Sequence, residues 1–137
     1  MTTDSEAALV FARWRHHFMD ATFGDEFRAN GLDERYYPRY WTLQHLPADS
    51  EWFDNRTTLE TEHRDDIAAR AMARTVAELE AEGWETYGDY NTADVDHPYP
   101  VSFLDYPERP IDGSPFTLKN YRVADAGPRR SRTGTSR

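Results

Sequence analysis

At Gly83 the apolar spacing of this chain changes period, and that change limits the folds open to it. Upstream, Ile67, Ala68, Ala71, Met72, Thr75, Val76 and Leu79 recur at the spacing of one helical face. Asp65, Arg70, Arg74, Glu78 and Glu82 fall on the opposite face. Thr57 and Glu60 form an S/T-x-x-E capping box, and Gly83 supplies the stop, so the spacing predicts a long amphipathic helix over 57–83. Its narrow, alanine-rich stripe suits close packing on another element, and Met72 is read as part of that packing. Downstream, "WETYGDYN", "YPVSFLDY" and "FTLKNYRV" alternate as strands do, with "DHP" and "ERPIDGSP" as turns between them. Helices first and strands last make an α+β chain.

The segments on either side are read with the same rules. Asp4 and Ser5 are positioned to cap a first helix, whose apolar residues Ala7, Val10, Phe11, Trp14 and Phe18 keep helical spacing and whose end is expected near Gly24. Residues 25–56 carry Gly31, Pro38 and Pro47 between the aromatic clusters "RYYPRYW" and "EWF", which predicts a short helix, turns and loops packed by their rings. The domain is expected to occupy residues 1–128. Residues 129–137 have no apolar periodicity and read as a disordered basic tail.

Core material is the chain's weak point. Leu, Ile, Val and Phe number 22 of 137 residues, about 16%, below the roughly 20% at which a highly charged chain starts to resemble a disordered one. Nineteen aromatic residues offset this, because each ring buries a large area. Such a chain folds more readily when packed on a partner. All 25 acids lie in residues 1–128 with 12 basic side chains, a balance of −13, and Lys119 is the only lysine. An acid-rich, lysine-poor surface suits a salt-saturated cytoplasm, where screening relieves self-repulsion. There is no cysteine, which excludes disulfides, a thiolate nucleophile and cysteine–zinc sites. A basic region followed by an apolar stretch is lacking at the N-terminus, so a cytoplasmic protein is expected. No apolar run is long enough to span a membrane. The arginines of the tail stand against a strongly acidic body, so nucleic-acid binding is not expected.

The candidate chemistry is sparse. His97, flanked by Asp94 and Asp96, lacks the adjacent nucleophile and orienting acid of a general base; Ser102 and Ser114 sit in no G-x-S-x-G elbow. Asp89 and Asn91 open like a calcium loop, which then fails at Ala93, Asp94 and Pro100. His16, His17, His45 and His63 are scattered, and His63 with Asp66 supplies only two ligands on one helical face. Neither a Gly-rich phosphate cradle nor an H-E-x-x-H is present. No catalytic, metal or cofactor residue is assigned, and no cofactor is expected.

Residues 84–122 nevertheless carry a pattern. Trp84, Gly88, Asn91, His97 and Pro98, then Gly113, Thr117, Leu118 and Asn120, stand in an order that resembles the C-terminal part of the penicillin acylase (penicillin amidase) family of N-terminal-nucleophile hydrolases. The helical stretch "WFDNRTTLETEHRDDIAARAMARTVAELE" is similar to the family as well, so the resemblance spans roughly residues 5–128. It implies an αββα amidohydrolase acting on linear amides such as penicillins, N-acyl compounds or acyl-homoserine lactones. In that family the nucleophile is a serine freed at a new N-terminus, with its own α-amino group as base and an asparagine and a backbone N–H as oxyanion hole. Those groups precede the matching region and are not carried onto this chain. Thr2, exposed if Met1 were removed, is not followed by the buried strand such a nucleophile begins. At its end the chain departs from the pattern, since Gly127 and Pro128 lead into "RRSRTGTSR" rather than a further strand. The expectation is a C-terminal fragment of the large subunit, inactive alone, whose partner is the missing nucleophile-bearing part. The alternative is a small interaction module with an aromatic surface, and a weaker option is a free-standing hydrolase using His97.

Overall fold

A computed structural model describes residues 1–55, 58–95 and 106–114. The order is α1 (Glu6–Ala29), a 3-10 turn (Glu34–Tyr36), α2 (Tyr40–His45), a second 3-10 turn (Glu51–Phe53), α3 (Arg64–Glu82), α4 (Tyr87–Tyr90), β1 (Thr92–Val95) and β2 (Tyr106–Pro110). The strands form one antiparallel pair, with Thr92 opposite Pro110 and Ala93 opposite Arg109. The α+β order is thus the one expected. The strands "YPVSFLDY" (except Tyr106) and "FTLKNYRV", the "DHP" turn and the tail lie outside the described residues.

Ser5 starts α1 as expected, its hydroxyl accepting from the Ala8 N–H at 3.1 Å. The helix does not end at Gly24. It runs through that glycine to Ala29, and the left-handed residue is Gly31, at φ 73°. A glycine inside a helix costs roughly 1 kcal/mol, which the packing of the following turn offsets. Phe23 and Phe27 meet Tyr37 and Trp52 at ring separations of 5.3 to 6.4 Å.

The start of α3 is a second correction. Thr57 lies outside the described residues, but residues 58–63 are not helical, and α3 begins at Arg64. There Asp66 accepts the His63 N–H at 3.0 Å, which is a helix-capping job for a pair that could have shared a metal. Gly83 ends α3 in the left-handed conformation, as its position predicts. A third correction concerns "WETYGDYN". It turns into α4 before the strand begins, because the Asp89 carboxylate gathers the N–H groups of Glu85 and Thr86 at 3.1 and 2.8 Å. β2 likewise claims residues expected to lie in a turn.

The core lies between α1 and α3 in two apolar clusters. One gathers Phe18, Phe23, Leu43, Phe53, Ile67 and Ala71; the other gathers Ala8, Leu9, Ala12 and Tyr87. Leu9 sits with Leu79 at one end and Phe18 with Ile67 at the other, so the two helices run antiparallel. Rings do much of the filling that aliphatics do elsewhere: Phe18 packs 5.1 Å from Trp14 and 6.2 Å from Phe53. The core takes only part of each helical stripe read from the sequence. On α3 it is Ile67, Ala71 and Thr75 that are buried, while Met72 and Val76 remain exposed. On α1, Ala8, Leu9, Ala12 and Phe18 are buried, and Ala7 and Phe11 are exposed.

Candidate functional site

The family-pattern residues that the structure describes converge on one place, beside the first residues of the chain. Thr3 O accepts the Gly88 N–H at 2.7 Å, and Ser5 O accepts that of Tyr87 at 3.2 Å. On the other side, Met1 O accepts the Gly113 N–H at 3.0 Å, and the Thr3 N–H donates to the Asp112 carboxylate at 2.7 Å. Residues 1–5 are therefore clasped between α4 and the segment that follows β2. Asn91 closes the same clasp: its side-chain Nδ2–H donates to Ile111 O at 2.5 Å, and its main-chain carbonyl accepts the Ile111 N–H at 2.9 Å. The Tyr87 hydroxyl, buried, donates to Gly113 O at 2.6 Å, and burial raises its pKa. Gly113 holds φ 94°, a conformation that L side chains rarely adopt.

Gly88 is a glycine because of this close approach. A Cβ there would lie 3.0 Å from Thr3 O and 3.1 Å from the Pro110 side chain. Gly88→Ala is expected to cost about 1–3 kcal/mol through the overpacking it forces. Hydrogen exchange should show the loss at the amides of Thr3, Gly88 and Gly113; unchanged protection at all of them would contradict this account of the clasp.

A partly buried ionic cluster joins α1 to α3. The Arg13 guanidinium donates to both oxygens of Glu78, at 2.7 and 2.5 Å, and His17 Nε2 lies 2.9 Å from the same carboxylate. Arg13 also lies over the Tyr90 ring at 4.9 Å, with Trp84 at 6.0 Å. Burial alone would raise the Glu78 pKa; the hydrogen bonds from Arg13 and His17 outweigh it and hold the carboxyl below its ordinary value. Burial pulls Arg13 down, and Glu78 and Tyr90 more than reverse this, leaving it raised. A second hub is Asp20, which accepts from the Tyr37 hydroxyl and from Arg28, both at 2.7 Å. Burial pushes the Asp20 pKa up, but these donors bring it below the usual carboxylate range.

The remaining candidates fall to structural roles or outside the described residues. His97 and Ser102 are outside, as are Asp96, Thr117, Leu118 and Asn120. Ser114 is buried at the end of the clasp, and Thr2 is exposed in the turn before α1. Asp89 and Asn91 serve the α4 cap and the clasp rather than a calcium loop. His45 Nδ1 meets the Trp41 carbonyl at 2.7 Å, and His16 stands 3.9 Å from Glu34. Among the described residues no set of three histidines and carboxylates could hold a metal ion, and no helix is long and apolar enough to cross a membrane. Sequence reasoning missed the Arg13–Glu78 pair. Its signal was a charge of opposite sign on each helix, next to the residues that turn out buried: Arg13 beside Ala12, Glu78 three places after Thr75.

The carboxylates and imidazoles brought together here hold elements to one another, which is what an assembled scaffold does. A family model for penicillin amidase matches residues 1–137, and the chain belongs to the penicillin amidase family. Membership makes it a hydrolase-family protein of acylase type. No curated protein and no solved structure matches the chain.

Proposed function

We propose that this chain supplies a helix-and-strand C-terminal part of a penicillin amidase, and that it hydrolyses linear amide C–N bonds only together with a nucleophile-bearing part. The observation that carries this reading is the fate of Trp84, Gly88, Asn91 and Gly113. These family-pattern residues build the clasp or the packing beside it, through ring contacts, close backbone approach and hydrogen bonds to main-chain groups. Their work is to hold closing strands, not to move a proton. Acyl substrates, in this reading, are met by the partner's serine, its α-amino base and its oxyanion donors. The acidic surface with a single lysine supports a cytoplasmic setting of high salt.

The test is turnover of a chromogenic phenylacetyl anilide. The purified chain alone is expected to release no chromophore, and co-expression with the nucleophile-bearing part of a penicillin amidase is expected to yield an active complex. Turnover by the chain alone that survives Thr2→Ala and Ser114→Ala but disappears in His97→Ala would replace this reading with a free-standing hydrolase. A second reading, a non-catalytic interaction module, is favoured by the rings of Tyr36 and Trp41, each 60% exposed. That module would melt cooperatively as a monomer in low salt and would not join an active complex.

A further inference from the structure

The parts of the two helical stripes that the core leaves uncovered face outward side by side. Phe11 on α1 is 40% exposed, and Met72 and Val76 on α3 are 41% and 48% exposed. With Ala7, Val10 and Trp14, the first two line a shallow groove along the helix pair, and exposed Val76 stands one turn along α3 from Met72. Ala69 and Ala73, both exposed on α3, leave room for close approach. The floor is already fixed: the Trp14 indole N–H donates to Ala68 O at 3.1 Å, and its ring packs 5.1 Å from Phe18.

Around this groove the exposed charges on the two helices are acidic. Glu6 lines it, Glu80 stands one turn beyond Val76, and Asp65 two turns before Met72, all exposed. Arg15, one turn beyond Phe11, is drawn over the Tyr40 ring at 6.0 Å. A second copy of the chain on this face would set acid against acid. An apolar stripe flanked by Lys and Arg would fill the groove and meet Glu6 and Glu80.

We propose that the α1/α3 face docks a cationic amphipathic helix of a partner protein. This rests on and deepens the reading above, in which the chain works against a second body, by assigning the face and the chemistry of what covers it. The full chain is titrated with a labelled leucine–lysine amphipathic peptide of about 18 residues, five turns of helix, and with its leucine–glutamate counterpart. One-to-one binding of the lysine peptide alone is expected. Val76→Asp and Phe11→Asp are the deciding variants, because each adds an acid while spoiling the groove. Docking then weakens at least about tenfold, whereas plain charge attraction would tighten. Glu6→Gln with Glu80→Gln should weaken binding and flatten its salt dependence. Circular dichroism checks that each variant keeps its helix content, and Met72→Ser repeats the test without a charge. Binding unchanged or tightened by Val76→Asp, equal binding of both peptides, or a dimer of the chain that Val76→Asp dissolves would each overturn the proposal. The amidase reading is decided separately by the co-expression assay, which uses no peptide.

Discussion

Glu78→Gln is expected to destabilise the protein by about 3 kcal/mol, the lower end of the range for breaking a buried ion pair. The lower end applies because the Glu78 side chain keeps 24% of its exposure, while that of Arg13 keeps 10%. The substitution leaves a buried guanidinium facing a neutral amide, so the penalty is mostly an uncompensated charge. A double variant, Arg13→Met with Glu78→Leu, removes both charges and should recover most of the loss. Denaturant melts of the single and double variants decide the matter: equal losses in both would show that packing, not charge, holds this seam. The same pair fixes the acid limb. Glu78 and Asp20 both have folded pKa values below their unfolded ones. The stability they contribute is full above the unfolded carboxylate range and lost as pH falls through the folded values. The melting midpoint should therefore drop below about pH 4, and Glu78→Gln should shrink that drop.

The other large effect is that of salt. In dilute buffer the isolated chain is expected to melt weakly or not at all, and in molar salt to melt cooperatively. Its 25 acids repel one another on a body short of aliphatic core; screening lowers the repulsion, and excluded salts strengthen apolar burial. Circular dichroism across a salt titration reads this directly. A cooperative melt in dilute buffer with the same midpoint in molar salt would contradict it. Because buried pairs are screened far less than surface ones, the Glu78 comparison belongs at high salt, where the two effects separate.

What could be read from the chain was set by local chemistry. Ser5 and Gly83 act within a turn of themselves, and both ends they mark are real. Gly24 misleads because the rings of Phe23 and Phe27, distant partners in hand, outweigh a propensity of about 1 kcal/mol. The stripes of α1 and α3 misled in a more informative way. Three of their large apolar residues, Phe11, Met72 and Val76, face outward, while Phe18 and Ile67 join small ones such as Ala8, Ala12 and Ala71 in the core. A stripe of apolar residues wider than the contact it makes leaves its edge uncovered, and spacing alone does not say which edge. Arg13 and Glu78 meet across 65 positions, and no spacing rule reaches that far. The residues of the clasp were legible as a pattern, though not the reason they matter, since Gly88 is defined by a backbone oxygen from the other end of the chain.

That clasp has a consequence for how the protein is made. Thr3 bonds to Asp112 across 109 positions, and the amides of Gly88 and Gly113 end on Thr3 and Met1. Residues 1–5 therefore gain these partners in two stages, Tyr87 and Gly88 first and Asp112 and Gly113 only later in synthesis. The antiparallel pair of α1 and α3 can close earlier, whereas the bond from Thr3 to Asp112 waits on a far longer loop closure. At roughly 5–20 residues per second, the stretch from Thr3 to Asp112 takes several seconds to make, and for that time the main-chain groups the clasp will pair stand open to water and to other chains.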